Sequence, residues 1–244
     1  MKRVIIAGVG PGSKSCLTEE VKEAIDNSEV LIGSKRLIEE YTDKKTFYAV
    51  TAKDIIDIID NENANNYVVL MSGDTGFYSG AKKLVELLGP ETKMICGISS
   101  VVYFMSKIGL SWDDAKIVSA HGRGCNLISH IRNEKKVFAI LGTSDGVALL
   151  AKKLVEYGMG NVMLHVGENL SYDNEKIFAK TASELTDYEG DPLAVICAVN
   201  ENAQTRLETH GIKDEEFIRG KAPMTKEEVR TVSLFKLCLT EDSV

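Results

Sequence analysis

The chain is predicted to fold as an α/β protein of two domains, and three observations carry that expectation. Short β-rich runs alternate with amphipathic stretches through the first half. Those runs are apolar throughout instead of alternating with polar residues, as strands covered on both faces are. Glycine-rich segments stand where a run ends and a helical stretch follows. A length of 244 residues suits two small domains or one large α/β unit.

Taken in order, Arg3–Ala7 is the first expected strand, and Gly8–Ser13 a loop. Thr18–Asn27 is a helix, with Thr18 as its cap and Glu19 and Glu20 at its positive end. Val30–Ile32 is a strand, and Ser34–Tyr41 and Lys53–Asp60 are helices, the latter with Ile55, Ile56 and Ile59 on one side. Val68–Ser72 is a strand, Gly73–Gly76 a turn and Gly80–Leu88 a helix. Met94–Cys96 and Ser100–Ile108 complete the series as strand and helix. Near Trp112 the pattern changes. A second set of strands is expected at Ile117–Ala120, Val137–Leu141, Val162–Val166 and Leu193–Val199. A helix is expected at Gly146–Tyr157, and hairpin strands within Glu168–Lys180. The divisions are therefore 1–112, 113–207 and a polar tail, 208–244. In the tail, Thr225 to Glu228 reads as a capping box opening a helix, with a strand over Val232–Leu239 as the rival reading.

Composition excludes several classes. Hydrophobic residues at 44% and charged residues at 27% argue against a disordered or collagenous chain. A formal charge of -7 argues against a general nucleic-acid binder. The apolar run after Met1-Lys2-Arg3 is too short for a signal segment, and no stretch suits a bilayer span. Five scattered cysteines, with no metal-like spacing, read as reduced thiols in a cytoplasmic protein without a metal site.

The chemistry is expected at the loops. Gly8-Val9-Gly10-Pro11-Gly12 is half of a dinucleotide fingerprint, but Ser13 stands where the third glycine belongs, Pro11 intrudes, and the helix starts only near Thr18. It keeps a nicotinamide-dependent oxidoreductase as a rival class. Ser72-Gly73-Asp74-Thr75-Gly76-Phe77-Tyr78-Ser79-Gly80 places three glycines and a carboxylate at another strand end, with helix capping as the plain alternative for Asp74. Gly97-Ile98-Ser99-Ser100 offers hydroxyls and free N–H groups at a third. Such loops converge on one crevice at the carboxyl edge of an open α/β sheet. His121 can move a proton near neutral pH, and Arg123 can clamp a carboxylate. His165, inside an apolar run, reads as a core residue.

Together these loops resemble those of the tetrapyrrole methylase superfamily. With Ser119-Ala120-His121-Gly122-Arg123, Trp112-Asp113-Asp114, Gly167-Glu168-Asn169-Leu170-Ser171 and Pro223 to Arg230, the chain is similar to its precorrin and cobalt-precorrin C5-methyltransferases. The resemblance implies two α/β domains with S-adenosyl-L-methionine in the cleft between them. It implies that Pro11, Gly73, Asp74, Phe77, Ser99, Ser100, Leu141 and Ala198 hold that cofactor. Gly10, Lys14 and Arg123 are expected to face a carboxylate-rich tetrapyrrole, with Lys35, Arg36 and Arg132 as further basic candidates. His121 is the expected proton-transfer residue. The family usually has Pro where Cys96 stands, which bears on loop stiffness and removes no side-chain chemistry. The tail resembles the junction to a decarboxylating C15-methyltransferase domain. With the chain ending at Val244, the C5 step alone is expected, beside a separate C15-methyltransferase and in a homodimer. Uroporphyrinogen-III methyltransferases of the same superfamily are the nearest alternative.

Overall fold

A computed structural model describes residues 2–120, 125–204, 213–218 and 223–238. Two five-stranded sheets organise the first compact unit, Met1–Gln204. The first sheet comprises β1 (Arg3–Gly8), β2 (Val30–Gly33), β3 (Lys45–Tyr48), β4 (Asn66–Met71) and β5 (Lys93–Ile95), in the order β3-β2-β4-β1-β5. Every pairing in it is parallel.

The expected absence of alternation has a simple cause: both faces are covered. Ile5, Ala7, Leu31, Val68 and Leu70 pack against α1 (Glu19–Asp26) and α2 (Lys35–Ile38). Ile6, Val30, Ile32, Tyr67 and Val69 pack on the other side against α3 (Ala52–Asn61) and α4 (Ala81–Leu88). Thr18 caps α1, its hydroxyl accepting from the N–H of Val21. The helix expected over Ser34–Tyr41 is a single turn, and the half-exposed run that forms β3 was not expected as a strand.

The helix α5 (Ser100–Lys107) connects the halves. Its Val101, Phe104 and Met105 lie against Phe138, Val195 and Cys197 of the second sheet. A Cβ on Gly167 would stand 2.6 Å from the Phe104 ring, so this glycine lets helix and sheet touch. The second sheet comprises β6 (Lys116–Ser119), β7 (Lys136–Ile140), β8 (Met163–Glu168), β9 (Lys176–Thr181) and β10 (Ala194–Val199). Its order is β6-β7-β10-β8-β9, parallel only between β6 and β7. Of the hairpin strands expected within Glu168–Lys180, only β9 lies in that stretch; its antiparallel partner is β8, which ends at Glu168. On the far face, α6 (Leu127–Asn133) and α7 (Gly146–Glu156) complete a core that includes Ile131, Leu150, Leu154, Leu164 and Ile196. The sequence reading overlooked α6, although Asn126 caps it by accepting from the N–H of Ser129 at 3.1 Å.

Thr205–Val244 forms the second compact unit. Its α8 (Glu227–Lys236) is a helix, which disposes of the rival strand. The expected capping box does not form. Lys226 is the cap residue without a side-chain bond, and the carbonyl of Thr225 accepts from Arg230 Nη1 instead. Among the described residues, no helix is long and apolar enough to cross a membrane, and no cluster of three metal-ligating side chains occurs.

His165 is half-buried on β8, and burial holds its imidazole below the usual histidine range. The folded chain therefore binds this proton less readily than the unfolded chain. The stability this histidine supports is present above its unfolded value of ~6.5 and is lost as pH falls through the folded value. Urea unfolding between about pH 7.5 and pH 5 checks this: the parent chain should lose more stability on acidification than His165→Gln.

Candidate functional site

The strands β4, β1 and β5 are adjacent and parallel, so their C-terminal ends lie side by side. The three glycine loops leave from these ends and meet backbone to backbone. Gly10 and Gly73 exchange N–H···O bonds of 3.1 and 2.7 Å. A Cβ on Gly97 would stand 2.3 Å from the carbonyl oxygen of Gly8 and 2.4 Å from that of Gly73. Asp74 ties the assembly electrostatically. Its Oδ1 accepts from the Gly76 N–H at 2.8 Å and its Oδ2 from the Gly97 N–H at 3.1 Å. Ser99 is buried and caps α5, its hydroxyl accepting from the N–H of Val102.

Above this junction lies a cleft of about 270 Å³. Pro11, Arg36, Ser72, Gly73, Phe77, Tyr78 and Ser100 line it from the first half. Ser119, Ile140 and Leu141 line it from the ends of β6 and β7, and Asn169, Leu170 and Tyr172 from the turn after β8. Pro192 to Val195, leading into β10, close the remaining wall. The mixture is mostly apolar with scattered hydroxyls, the usual character of a small-molecule site.

Strand direction explains the last wall. β10 runs antiparallel to β7, with Val195 opposite Ile140, and Leu141 donates its N–H to the Ala194 carbonyl at 2.9 Å. The beginning of β10 therefore meets the cleft where the end of β7 does. A buried carboxylate holds the approach to this wall. Glu168 is fully enclosed; its Oε2 accepts from the Tyr188 hydroxyl and its Oε1 from the Asp191 N–H, both at 2.9 Å. Asp191 in turn accepts from Asn169 Nδ2 at 2.8 Å, and Asn169 donates its N–H to Leu193. Burial, then the neighbouring Glu168, pushes the Tyr188 phenol up to about 12, so it stays a donor at neutral pH.

The structure brings five of the expected cofactor residues into the cleft: Pro11, Gly73, Phe77, Ser100 and Leu141. Asp74 and Ser99 stand just behind, spending their oxygens on the loops themselves. Ala198 is not brought there; it is buried opposite Val137, toward the other end of the antiparallel strand. Gly10 forms the junction, with φ +74. Lys14 lines a neighbouring hollow, paired with Glu40 at 3.4 Å and over the Tyr41 ring. His121 and Arg123 lie outside the described residues. Tyr172 and the wall at Pro192–Val195 were overlooked. The signal for the wall was the expectation of hairpin strands within Glu168–Lys180, which implies strand reversal in the second half.

The family model for tetrapyrrole (corrin/porphyrin) methylases matches residues 3–186. A relative from Salmonella typhimurium, named cobalt-precorrin-7 C(5)-methyltransferase, is 30% identical over 196 residues, covering 78% of this chain and 97% of its own. A relative from Sinorhizobium sp., named precorrin-6Y C(5,15)-methyltransferase [decarboxylating], is 26% identical over 95% of this chain but 58% of its own length. The crystal structure of a uroporphyrin-III C-methyltransferase from Thermus thermophilus, complexed with S-adenosyl homocysteine, shares the fold with a TM-score of 0.65. It is 16% identical, with 81% of this chain and 97% of that one covered.

Two substitutions test the loop junction. Gly97→Ala forces a methyl into backbone and should cost about 3 kcal/mol or more of stability, at the upper end of overpacking penalties. Asp74→Ala leaves two N–H groups without their charged acceptor and should cost about 2 kcal/mol. Denaturant unfolding measures both, and Ser72→Ala, which leaves the junction intact, serves as the comparison.

Proposed function

We infer the function of this chain from the family it belongs to, the tetrapyrrole methylases: it is an S-adenosylmethionine-dependent methyltransferase acting at C5 of a precorrin or cobalt-precorrin in cobalamin biosynthesis. One observation carries the reading. Loops from three neighbouring strand ends and the wall beginning β10 close on a single cleft, in a chain similar over most of its length to the Salmonella C5-methyltransferase.

The cleft suits the methyl donor. Gly73 has φ +71, and nothing lies within 4 Å of where its Cβ would stand, so bare backbone borders open space. Phe77, Leu141, Leu170 and Val195 offer flat apolar contact for a purine, and Ser100 and Ser119 offer hydroxyls. When bound, S-adenosylmethionine supplies a methyl group already activated on a sulfonium. The chain's own residues then have two tasks. The locked loops hold the ring carbon in line with the methyl group, and the apolar walls exclude water. His121 is the proposed proton-transfer residue, and Arg123 a proposed clamp on a substrate carboxylate.

Further parts of the proposal follow from the same reading. The functional division falls near residue 112, between α5 and β6. A separate protein performs C15 methylation and decarboxylation; support comes from the Sinorhizobium relative, whose name joins both activities and whose length extends well beyond the matched part. The enzyme works in the cytoplasm as a homodimer, which light scattering should show as twice the 26.7 kDa chain mass.

Anaerobic incubation with S-adenosylmethionine and cobalt-precorrin-7 or its metal-free counterpart tests the activity. The expected product carries one additional methyl group, located at C5 by NMR, with no carbon dioxide released. Methylation at another ring position, or decarboxylation, overturns the assignment. His121→Ala should lower kcat about 100-fold, within the usual range for a lost general acid or base, with little change in KM.

A further inference from the structure

We infer that Arg36 is the anchor in the cleft for a side-chain carboxylate of the macrocycle. Arg36 sits in α2, directly after β2, and its side chain lines the cleft. Its Nη1 donates to the Tyr172 hydroxyl at 2.9 Å and its Nη2 to the Ser72 hydroxyl at 2.8 Å. Both partners are neutral, and the guanidinium makes no ion pair among the described residues. A guanidinium has five N–H donors in a planar fork that matches a carboxylate. Two of those donors are engaged here, and only with hydroxyls. A carboxylate brings a full opposite charge and a second oxygen for the planar fork, which a hydroxyl does not, so an arriving carboxylate displaces one or both.

Arg36 is the cation lining the cleft among the described residues. Lys14, expected from sequence to serve this task beside Arg123, is paired with Glu40 in the adjoining hollow. The Tyr172 partner is itself firmly placed. Its ring covers Gly12 so closely that a Cβ there would fall 2.2 Å from it, and Ser171 accepts from the Ser13 N–H at 2.8 Å. The guanidinium thus rests between a loop of the first sheet and the turn after β8, where a large ligand spanning both sides must pass.

Two ligands of the proposed reaction carry carboxylates: the macrocycle and the methionine part of the cofactor. Sheet order favours the macrocycle. β2, which delivers Arg36, is separated from β5, which delivers Ser100, by β4 and β1. Three strand spacings amount to about 14 Å. Arg36 therefore enters the cleft from the β2 side, its guanidinium reaching the Ser72 hydroxyl just past the end of β4 and the Tyr172 hydroxyl of the turn after β8. This inference rests on the methyltransferase reading, and its test separates the two.

The full-length chain, Arg36→Gln and Arg36→Lys are compared in binding uroporphyrin I, a stable octacarboxylate macrocycle, by fluorescence. S-adenosylhomocysteine binding is measured by calorimetry. Arg36→Gln should weaken porphyrin binding about tenfold or more, the loss of one or two charge-assisted bonds, while S-adenosylhomocysteine affinity stays within about twofold. Arg36→Lys keeps the charge without the fork and should fall between. With the natural substrate, Arg36→Gln should raise KM far more than it lowers kcat. Loss of S-adenosylhomocysteine affinity with porphyrin binding intact overturns the proposal and assigns the anchor to the cofactor. Failure of the parent chain to bind porphyrin, or unchanged porphyrin binding in Arg36→Gln, also overturns it. Should Arg36→Gln fail to fold, Arg36→Lys decides: weakened porphyrin binding alone supports the anchor, and no change removes it. A parent chain that binds both ligands but transfers no methyl group defeats the activity while leaving the anchor standing.

Discussion

The site depends on a place where no side chain fits. The ends of β1, β4 and β5 bring the backbones of Gly8, Gly73 and Gly97 so close that a single Cβ on Gly97 would overlap two carbonyl oxygens. Glycine is required there for space, a stricter demand than conformational freedom. Asp74 converts the contact into a joint, because its carboxylate accepts from the N–H groups of Gly76 and Gly97 at once. This face of the cleft is thus made of backbone held by backbone, with the Asp74 carboxylate as the one side chain that ties it. Such a wall is suited to a reaction whose protein contribution is position.

The second half solves the same problem by different means. Its cleft wall is a strand beginning, so it has no helix dipole or capped turn to brace it. The brace is Glu168, enclosed completely and satisfied by one phenol and one backbone N–H, with Lys176 3.9 Å away. A buried carboxylate is costly unless every oxygen finds a donor. The donors here come from Tyr188 and Asp191, in the segment leading to Pro192–Val195. Satisfying Glu168 and shaping the cleft are consequently one requirement. Gly190 belongs to it, since a Cβ there would fall 2.6 Å from the carboxylate.

The first sheet was legible because its signals are local. Buried strands, a threonine cap at Thr18 and glycines at strand ends all lie within a few residues of what they control. The loops at Gly8–Gly12, Gly73–Gly80 and Gly97–Ser100 were recognised for the same reason. The second half was harder. Whether a strand runs parallel or antiparallel is decided by partners distant in sequence, and Ala198 was assigned to the cofactor without knowledge of that direction. Reversal of β10 exchanges its two ends, so the residues at the cleft are Ala194 and Val195. Asp74 shows a different limit. Its loop was identified, but both of its oxygens serve other loops, and only geometry reveals that. α6 and β3 were overlooked because each is short and carries few apolar positions.

The charge of the chain poses the last question, since a net -7 protein is assigned a polyanionic substrate. Global attraction is not available, and at physiological salt charges beyond about 8 Å are largely screened anyway. What matters is the potential inside the cleft. There the described side chains supply one guanidinium, neutral hydroxyls and apolar groups, while Lys14 in the adjoining hollow is paired with Glu40. A half-buried charge next to low-dielectric walls acts more strongly than one in open water. Among the described residues the cleft lining holds a single cation, with no acidic partner, and that arrangement also favours selectivity. It rewards a polyanion whose carboxylate reaches Arg36 with the ring already in the cleft.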